Sequence, residues 1–138
     1  MKPDNPADMV RELAGMLRLA PRVFEMQRSI SLGTGREAIG MVSRPAAAAR
    51  GDWTPEEIER MVNRLVRLGA AAGLLNTCLT RSAIRCAIMR ENGIDARLVF
   101  GLRRPGETLS GHCWVTWPGG PDTSPSAASF AVIESYPS

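Results

Sequence analysis

The sequence predicts an α+β domain in which helices precede a small antiparallel sheet. Stretches with helix-start signals and apolar residues at helical spacing all lie before residue 93. Three short stretches follow that are rich in β-forming residues and are separated by turns containing Pro and Gly. Helices followed by consecutive strands with short connections are typical of this class. A chain of 138 residues is long enough for one domain with a modest core.

An N-terminal helical segment is predicted over residues 1–35. Asn5 can cap a helix whose first position is Pro6, and a stripe of Met and Leu follows at helical spacing. Pro21 is expected to break or kink this helix, so that a second short helix ends near Gly33. Surfaces rich in Met and Leu can adapt to a protein partner, and the alternative is that both stripes complete the core.

A linker or mobile loop is predicted over residues 36–53, because the helical periodicity is lost and Gly and Pro occur. The alanines in this stretch can also form a turn or two of helix. The core is expected over residues 54–138. Its first helix starts at Thr54, which is followed by Pro and by a capping-box Glu57, and it ends or loosens near Gly69.

The predicted strands form the second half of the core. They are expected at residues 96–102, 111–117 and 129–134. The connecting stretches contain Pro-Gly and Pro-Gly-Gly-Pro, which favour turns.

Charge and composition limit the classes of partner. The net charge of +3 is too small to indicate nucleic-acid binding, and it is compatible with an acidic peptide. No apolar run approaches the ~20 residues of a membrane span, and the polar opening residues do not resemble a signal peptide. A cytoplasmic location is therefore expected.

Cys78 and His112 are the candidate catalytic residues. Cys78 stands in the first turn of a helix that Thr77 can cap, and His112 is the only histidine and lies on a predicted strand. A helix N-terminus favours the thiolate, so this order is the layout of a thiol nucleophile and its base. The alternative is that both residues are structural, as a lone Cys or His usually is. Cys86 falls on the apolar face of the same helix and is expected to be a small core residue.

A metal site is not expected. The three cysteines show no Cys-x-x-Cys spacing. Zinc ligation by Cys78, Cys86, His112 and Cys113 would require two adjacent strand residues, whose side chains point to opposite faces.

Polar residues surround Cys78 on the predicted helix. Arg81, Ser82 and Arg85 follow it at offsets of three, four and seven, which places them on one face. The arginines can meet carboxylates or carbonyls of a substrate near the thiol. The alternative is a solvated face with ion pairs of little energy.

Three motifs together resemble the transglutaminase-like cysteine proteases of lasso-peptide biosynthesis. Residues 78–82 read Cys-Leu-Thr-Arg-Ser, residues 91–101 contain Gly-Ile-Asp-Ala-Arg-Leu-Val-Phe-Gly, and residues 111–115 read Gly-His-Cys-Trp-Val. The family patterns are Cys-Leu-x-Arg-Ser, Gly-Ile-x-Ala-x-Leu-Val-x-Gly and His-Ala-Trp-Val-Glu. The resemblance covers about residues 54–134. It departs at Cys113, where the family has Ala, and at Thr116, where the family has Glu.

The resemblance implies a papain/transglutaminase-like core and a Cys–His–Asp leader peptidase without a cofactor. It assigns Cys78, His112 and an acid beyond the histidine, for which Asp122 is chosen as the only acid before Glu134. Trp114 of the third motif is a candidate substrate contact.

The same resemblance implies partners. The short chain looks like the stand-alone protease half of a split B protein. Its substrate would be the precursor peptide, its partner a separate leader-recognition protein, and the next enzyme an ATP-dependent macrolactam cyclase. Two other functions stay open, a transglutaminase-like acyl transferase and a non-catalytic peptide-binding module.

Overall fold

The computed structural model describes residues 5–33, 35–49, 51–103, 110–120 and 131–137. The helices in chain order are α1 (Pro6–Leu32), α2 (Gly35–Val42), α3 (Pro55–Ala71) and α4 (Cys78–Glu91). The strands are β1 (Arg97–Arg103), β2 (Ser110–Thr116) and β3 (Ala131–Tyr136). The predicted α+β class is confirmed.

The sheet has β1 at its centre, paired antiparallel with β2 on one side and β3 on the other. Leu98 of β1 lies opposite Val115 of β2, and Phe100 lies opposite Cys113. Because side chains alternate along a strand, these four share one face of the sheet. Leu98, Cys113 and Val115 are buried in the main hydrophobic core, and Phe100 packs against it.

α1 continues through Pro21, so the predicted break into two helices is wrong. Asn5 caps the helix through its Oδ1, which accepts from the Asp8 amide at 2.9 Å. A proline inside a helix removes one hydrogen bond, at a cost of about 3 kcal/mol. Val23 and Met26, directly after Pro21, are buried in the core. Their packing holds the helical path on the far side of the proline.

A helix replaces the first part of the linker expected over residues 36–53. Ala38 and Val42 of α2 are fully buried, and α2 packs on α4. The chain beyond α2 is bound to the end of α4 by backbone hydrogen bonds, from the Ala47 amide to the Arg90 carbonyl and from the Gly51 amide to the Asn92 carbonyl, both 2.8 Å. Sequence periodicity missed α2 because only eight residues form it.

The capping predictions for α3 and α4 are confirmed. Thr54 and Glu57 form the reciprocal capping box at the start of α3. Thr77 caps α4, and Asn92 ends it before Gly93, whose φ is +78°. These local signals place the start of α4 at Cys78, which determines where the thiol stands.

The strands lie within one or two residues of their predicted positions. The predicted third strand began at residue 129, and residues 129–130 lie outside the described part of the chain. Among the described residues, no helix has the length and apolar character needed to cross a membrane.

Candidate active site

Cys78 is the first residue of α4 and is partly exposed. The Thr77 hydroxyl accepts from the Thr80 amide at 3.1 Å and thereby closes the first turn. The first amides of a helix have no intrahelical acceptor and carry partial positive charge. These amides therefore stand where they can stabilise the oxyanion of an acyl intermediate formed at the thiol.

The sulfur of Cys78 touches a second thiol. Cys113 of β2 donates a hydrogen bond to Cys78, with the two Sγ atoms 3.5 Å apart. Burial, and then the adjacent sulfur of Cys78, raise the pKa of Cys113 to about 12. Cys113 is therefore a protonated thiol at neutral pH, and Cys78 is the better candidate nucleophile of the two.

His112 lies on β2 beside the cysteine that makes this contact. It is opposite Gly101 of β1, and its ring stacks on Trp114 with the ring centroids 6.0 Å apart and the planes 23° apart. Alternation along β2 gives His112 and Trp114 the opposite face from Cys113. The structure thus brings β2, which carries His112, to Cys78. The residue of β2 that touches the Cys78 sulfur is Cys113, not His112.

Trp114 is only 8 % exposed. Its indole packs beside the imidazole of His112, so the structure gives it a role in holding that ring. The substrate contact expected for Trp114 stays a prediction.

The third member of the predicted triad stays a prediction. Asp122 lies outside the described residues. Glu134, the other acid considered, belongs to β3 and pairs with Phe100 of β1.

Buried Ser82 and partly buried Arg85 form a clamp between α4, β2 and α3. The Ser82 hydroxyl donates to the Cys113 carbonyl at 3.3 Å. Arg85 donates through Nη2 to Ser82 Oγ at 3.1 Å and through Nη1 to the Glu59 carboxylate at 2.8 Å. Burial lowers the pKa of Arg85, and the Glu59 carboxylate opposes that shift. The clamp positions β2 against the start of α4, and the substrate contacts expected for Ser82 and Arg85 stay predictions.

Arg81 also has internal partners. Its Nη1 donates to the backbone carbonyl of Asn76 at 3.1 Å and to the side-chain Oδ1 of Asn76 at 2.9 Å. The guanidinium therefore braces the turn that leads into α4. The substrate-binding role expected for Arg81 stays a prediction.

Sequence reasoning missed Cys113 and Glu59. The sulfur contact of Cys113 depends on how β2 docks on α4. Glu59 stands on α3 among several arginines, and nothing local pairs it with Arg85. The departure from the family pattern at Cys113 was the one available signal.

Cys86 is fully buried in the core, as predicted, and burial raises its pKa to about 12. Among the described residues, no cluster of three or more His, Cys, Asp or Glu side chains is arranged to hold a metal ion.

A family model described as the transglutaminase-like superfamily matches residues 22–135, which is most of the chain. The match begins inside α1, well before the region from residue 54 that the motifs cover. Comparisons with curated proteins and with solved structures gave no match.

Proposed function

Because the chain belongs to the transglutaminase-like superfamily, we propose that it is a cysteine peptidase that removes the leader peptide from a lasso-peptide precursor. The superfamily includes both cysteine peptidases and acyl transferases. The observation that carries the proposal is Cys78 at the capped start of α4, with the strand that bears His112 docked against it.

In the proposed reaction the Cys78 thiolate attacks the carbonyl carbon at the leader–core junction. Amides at the start of α4 stabilise the oxyanion. For the next step the His112 imidazole must reach Cys78 from the other face of β2, around the outer edge of the sheet, and give a proton to the leaving amine of the core peptide. The leader is then held as a thioester on Cys78. His112 takes a proton from water, which attacks the thioester and releases the leader carboxylate. Asp122 orients the imidazole.

A cleavage assay with isotopic water tests this proposal. The full chain is incubated with a leader–core precursor in H₂¹⁸O, and the products are identified by mass spectrometry. We expect a free core amine and a leader whose carboxylate contains one solvent oxygen. A leader conjugated to an added primary amine, with little hydrolysis, would instead support the acyl transferase.

Matched cysteine variants identify the nucleophile. Cys78→Ala is expected to abolish cleavage and leave the circular dichroism spectrum unchanged, since a partly exposed first-turn residue contributes little packing. Cys86→Ala is the control and is expected to retain cleavage. His112→Ala is expected to be as inactive as Cys78→Ala, because the two act as one unit. Cleavage by Cys78→Ala would contradict the assignment.

We further propose that this peptidase works with a separate leader-recognition protein in the cytoplasm, ahead of an ATP-dependent macrolactam cyclase. An apolar stripe on the first half of α1 supports a partner. Met9, Val10, Leu13 and Leu17 are 58–70 % exposed. Glu12, which lies between Val10 and Leu13 in the sequence, is buried, and its Oε1 is 3.3 Å from Nε of Arg60 on α3. These four side chains therefore lie outside the core, whereas Met16 and Ala20 of the same helix pack against it.

Partner dependence is tested by cleavage with and without the leader-recognition protein. A partner that brings the leader to the peptidase raises its effective concentration, so we expect an acceleration of more than about tenfold. Leu13→Lys combined with Leu17→Lys should lose that acceleration and keep the unassisted rate. Equal rates with and without the partner would contradict the split-enzyme proposal, even if Cys78 is catalytic.

A further inference from the structure

The contact between Cys78 and Cys113 joins two elements that are far apart in sequence. Cys78 begins α4, and Cys113 lies in the middle of β2, with only 3.5 Å between their sulfurs. Both are free thiols. The Ser82 hydroxyl binds the Cys113 carbonyl, so the strand is tied to the same helix that holds Cys78.

We propose that Cys78 and Cys113 are a peroxide-reactive site, in which a hydroperoxide converts the two thiols to an intramolecular disulfide that reversibly masks Cys78. The loss of peptidase activity rests on the proposed function, whereas formation of the disulfide does not.

The chemistry proceeds in two balanced steps. The Cys78 thiolate attacks the terminal oxygen of the hydroperoxide, which breaks the O–O bond and gives Cys78 sulfenic acid and an alkoxide or hydroxide that takes up a proton. The Cys113 sulfur then attacks Cys78 Sγ, the S–S bond forms, and hydroxide leaves with the Cys113 proton as water. Two thiols are oxidised by two electrons, and the peroxide is reduced.

The geometry favours the second step. An S–S bond is about 2.05 Å long, so the sulfurs must approach by roughly 1.5 Å from their present contact. Cys78 is partly exposed and can meet the peroxide from solvent, whereas Cys113 is only 4 % exposed and is largely shielded from it. The raised pKa of Cys113 keeps it protonated at neutral pH, which directs the peroxide to Cys78 first.

Cys113 also determines the fate of the oxidised nucleophile. A sulfenic acid without a nearby thiol proceeds under excess peroxide to sulfinic acid, which ordinary thiols cannot reduce. A disulfide is reduced by thiols. The residue that replaces the family's Ala at this position therefore makes oxidation of Cys78 reversible.

The test treats the reduced full-length chain with hydrogen peroxide and measures intact mass, with peptide mapping under non-reducing conditions. We expect a loss of about 2 Da, a cross-link between the peptides that contain Cys78 and Cys113, and complete recovery after a phosphine reductant. Iodoacetamide labelling of Cys78 should fall by about tenfold or more and return after reduction.

Matched variants separate this pair from the third thiol. Cys86→Ala should behave as the wild type. Cys113→Ala should show no loss of 2 Da and should gain about 32 Da at Cys78, with labelling that reduction does not restore. Since mapping of the wild type alone decides the cross-link, the test does not depend on the stability of any variant.

Three outcomes would overturn the proposal. In the first, the wild-type cysteines gain oxygen and no cross-link forms. In the second, the cross-link includes Cys86, and in the third, the disulfide joins two copies of the chain. If the Cys78–Cys113 bond forms but the reduced protein cleaves no precursor, the result supports the peroxide-reactive site and contradicts the proposed peptidase function.

Discussion

The side-chain amide of Gln27 occupies the space that a Cβ at position 69 would need. A methyl group added to Gly69 of α3 would collide with Gln27 Oε1. Gln27 is fully buried on α1, and its Nε2 donates to the carbonyls of Val66 and Leu75 at 3.0 and 2.9 Å. The amide cannot move aside without breaking both bonds, so this contact determines how closely α1 and α3 pack.

Gly69→Ala is expected to destabilise the fold, despite the higher helix propensity of Ala. Overpacking in a close helix contact costs about 1–3 kcal/mol, which exceeds the propensity gain of about 1 kcal/mol. Urea unfolding followed by circular dichroism measures the difference. The control is Gly40→Ala in α2, where an added Cβ meets nothing within 4 Å, and its free energy of unfolding should rise by about 0.5–1 kcal/mol. Similar losses in both variants would contradict the proposed collision.

Arg90→Met is expected to cost about 3 kcal/mol of folding free energy, because it removes the donor to the buried Ala96 carbonyl and to the partly buried Arg44 carbonyl. Arg90 is 7 % exposed and donates to the Arg44 carbonyl at 2.9 Å and to the Ala96 carbonyl at 3.0 Å. The control is Asp95→Asn. The Asp95 carboxylate is 3.5 Å from Arg90 and mostly exposed, so its loss should change stability by less than about 0.5 kcal/mol. A larger effect at Asp95 than at Arg90 would show that charge pairing, and not the carbonyl bonds, stabilises this region.

Stability is expected to fall as pH rises above about 9. Burial raises the pKa of Cys86 and Cys113 to about 12 in the folded chain, whereas thiols in the unfolded chain titrate near 8.5. Between these values the unfolded state loses thiol protons that the folded state keeps, so high pH favours unfolding. The contribution of each thiol is present below about pH 8.5 and lost toward pH 12. From pH 8 to pH 10 we expect a loss of about 2 kcal/mol for each thiol.

Unfolding in urea at both pH values checks this prediction, with Cys86→Ala as the comparison. That variant should be less stable at pH 8 because of the lost core contact, and its stability should decline less steeply toward pH 10. An unchanged decline would mean that Cys86 does not carry the effect.

Ser82 and Arg85 are expected to be energetically coupled. Ser82→Ala removes the bond to the Cys113 carbonyl and should cost about 1 kcal/mol. Arg85→Met removes the partner of Glu59, and the double variant should cost less than the sum of the two by about 1 kcal/mol. Ser43→Ala is the control, since its exposed hydroxyl bonds only the local Ile39 carbonyl. Additive losses at Ser82 and Arg85 would show that the clamp is not one unit.

The sequence by itself determined the local features of this protein. Thr54, Thr77 and Asn5 cap their helices through residues three positions away, so the pattern is complete within one turn. The positions of the strands followed from short β-forming runs between turns. The positions of Cys78 in the first helical turn and of Cys86 on the apolar face distinguished the more exposed cysteine from the core one. The order of Cys78 and His112 then pointed to thiol chemistry.

Only the tertiary structure decided the features that depend on distant contacts. α1 continues through Pro21 because its buried side chains pack on other elements, and α2 is held by burial that eight residues of sequence do not reveal. The sulfur contact at Cys78 depends on the docking of β2 on α4. Met9, Leu13 and Leu17 of α1 are exposed, although their periodicity resembles that of a core helix. Periodicity shows which residues share a face of a helix or strand, but only packing decides what that face meets.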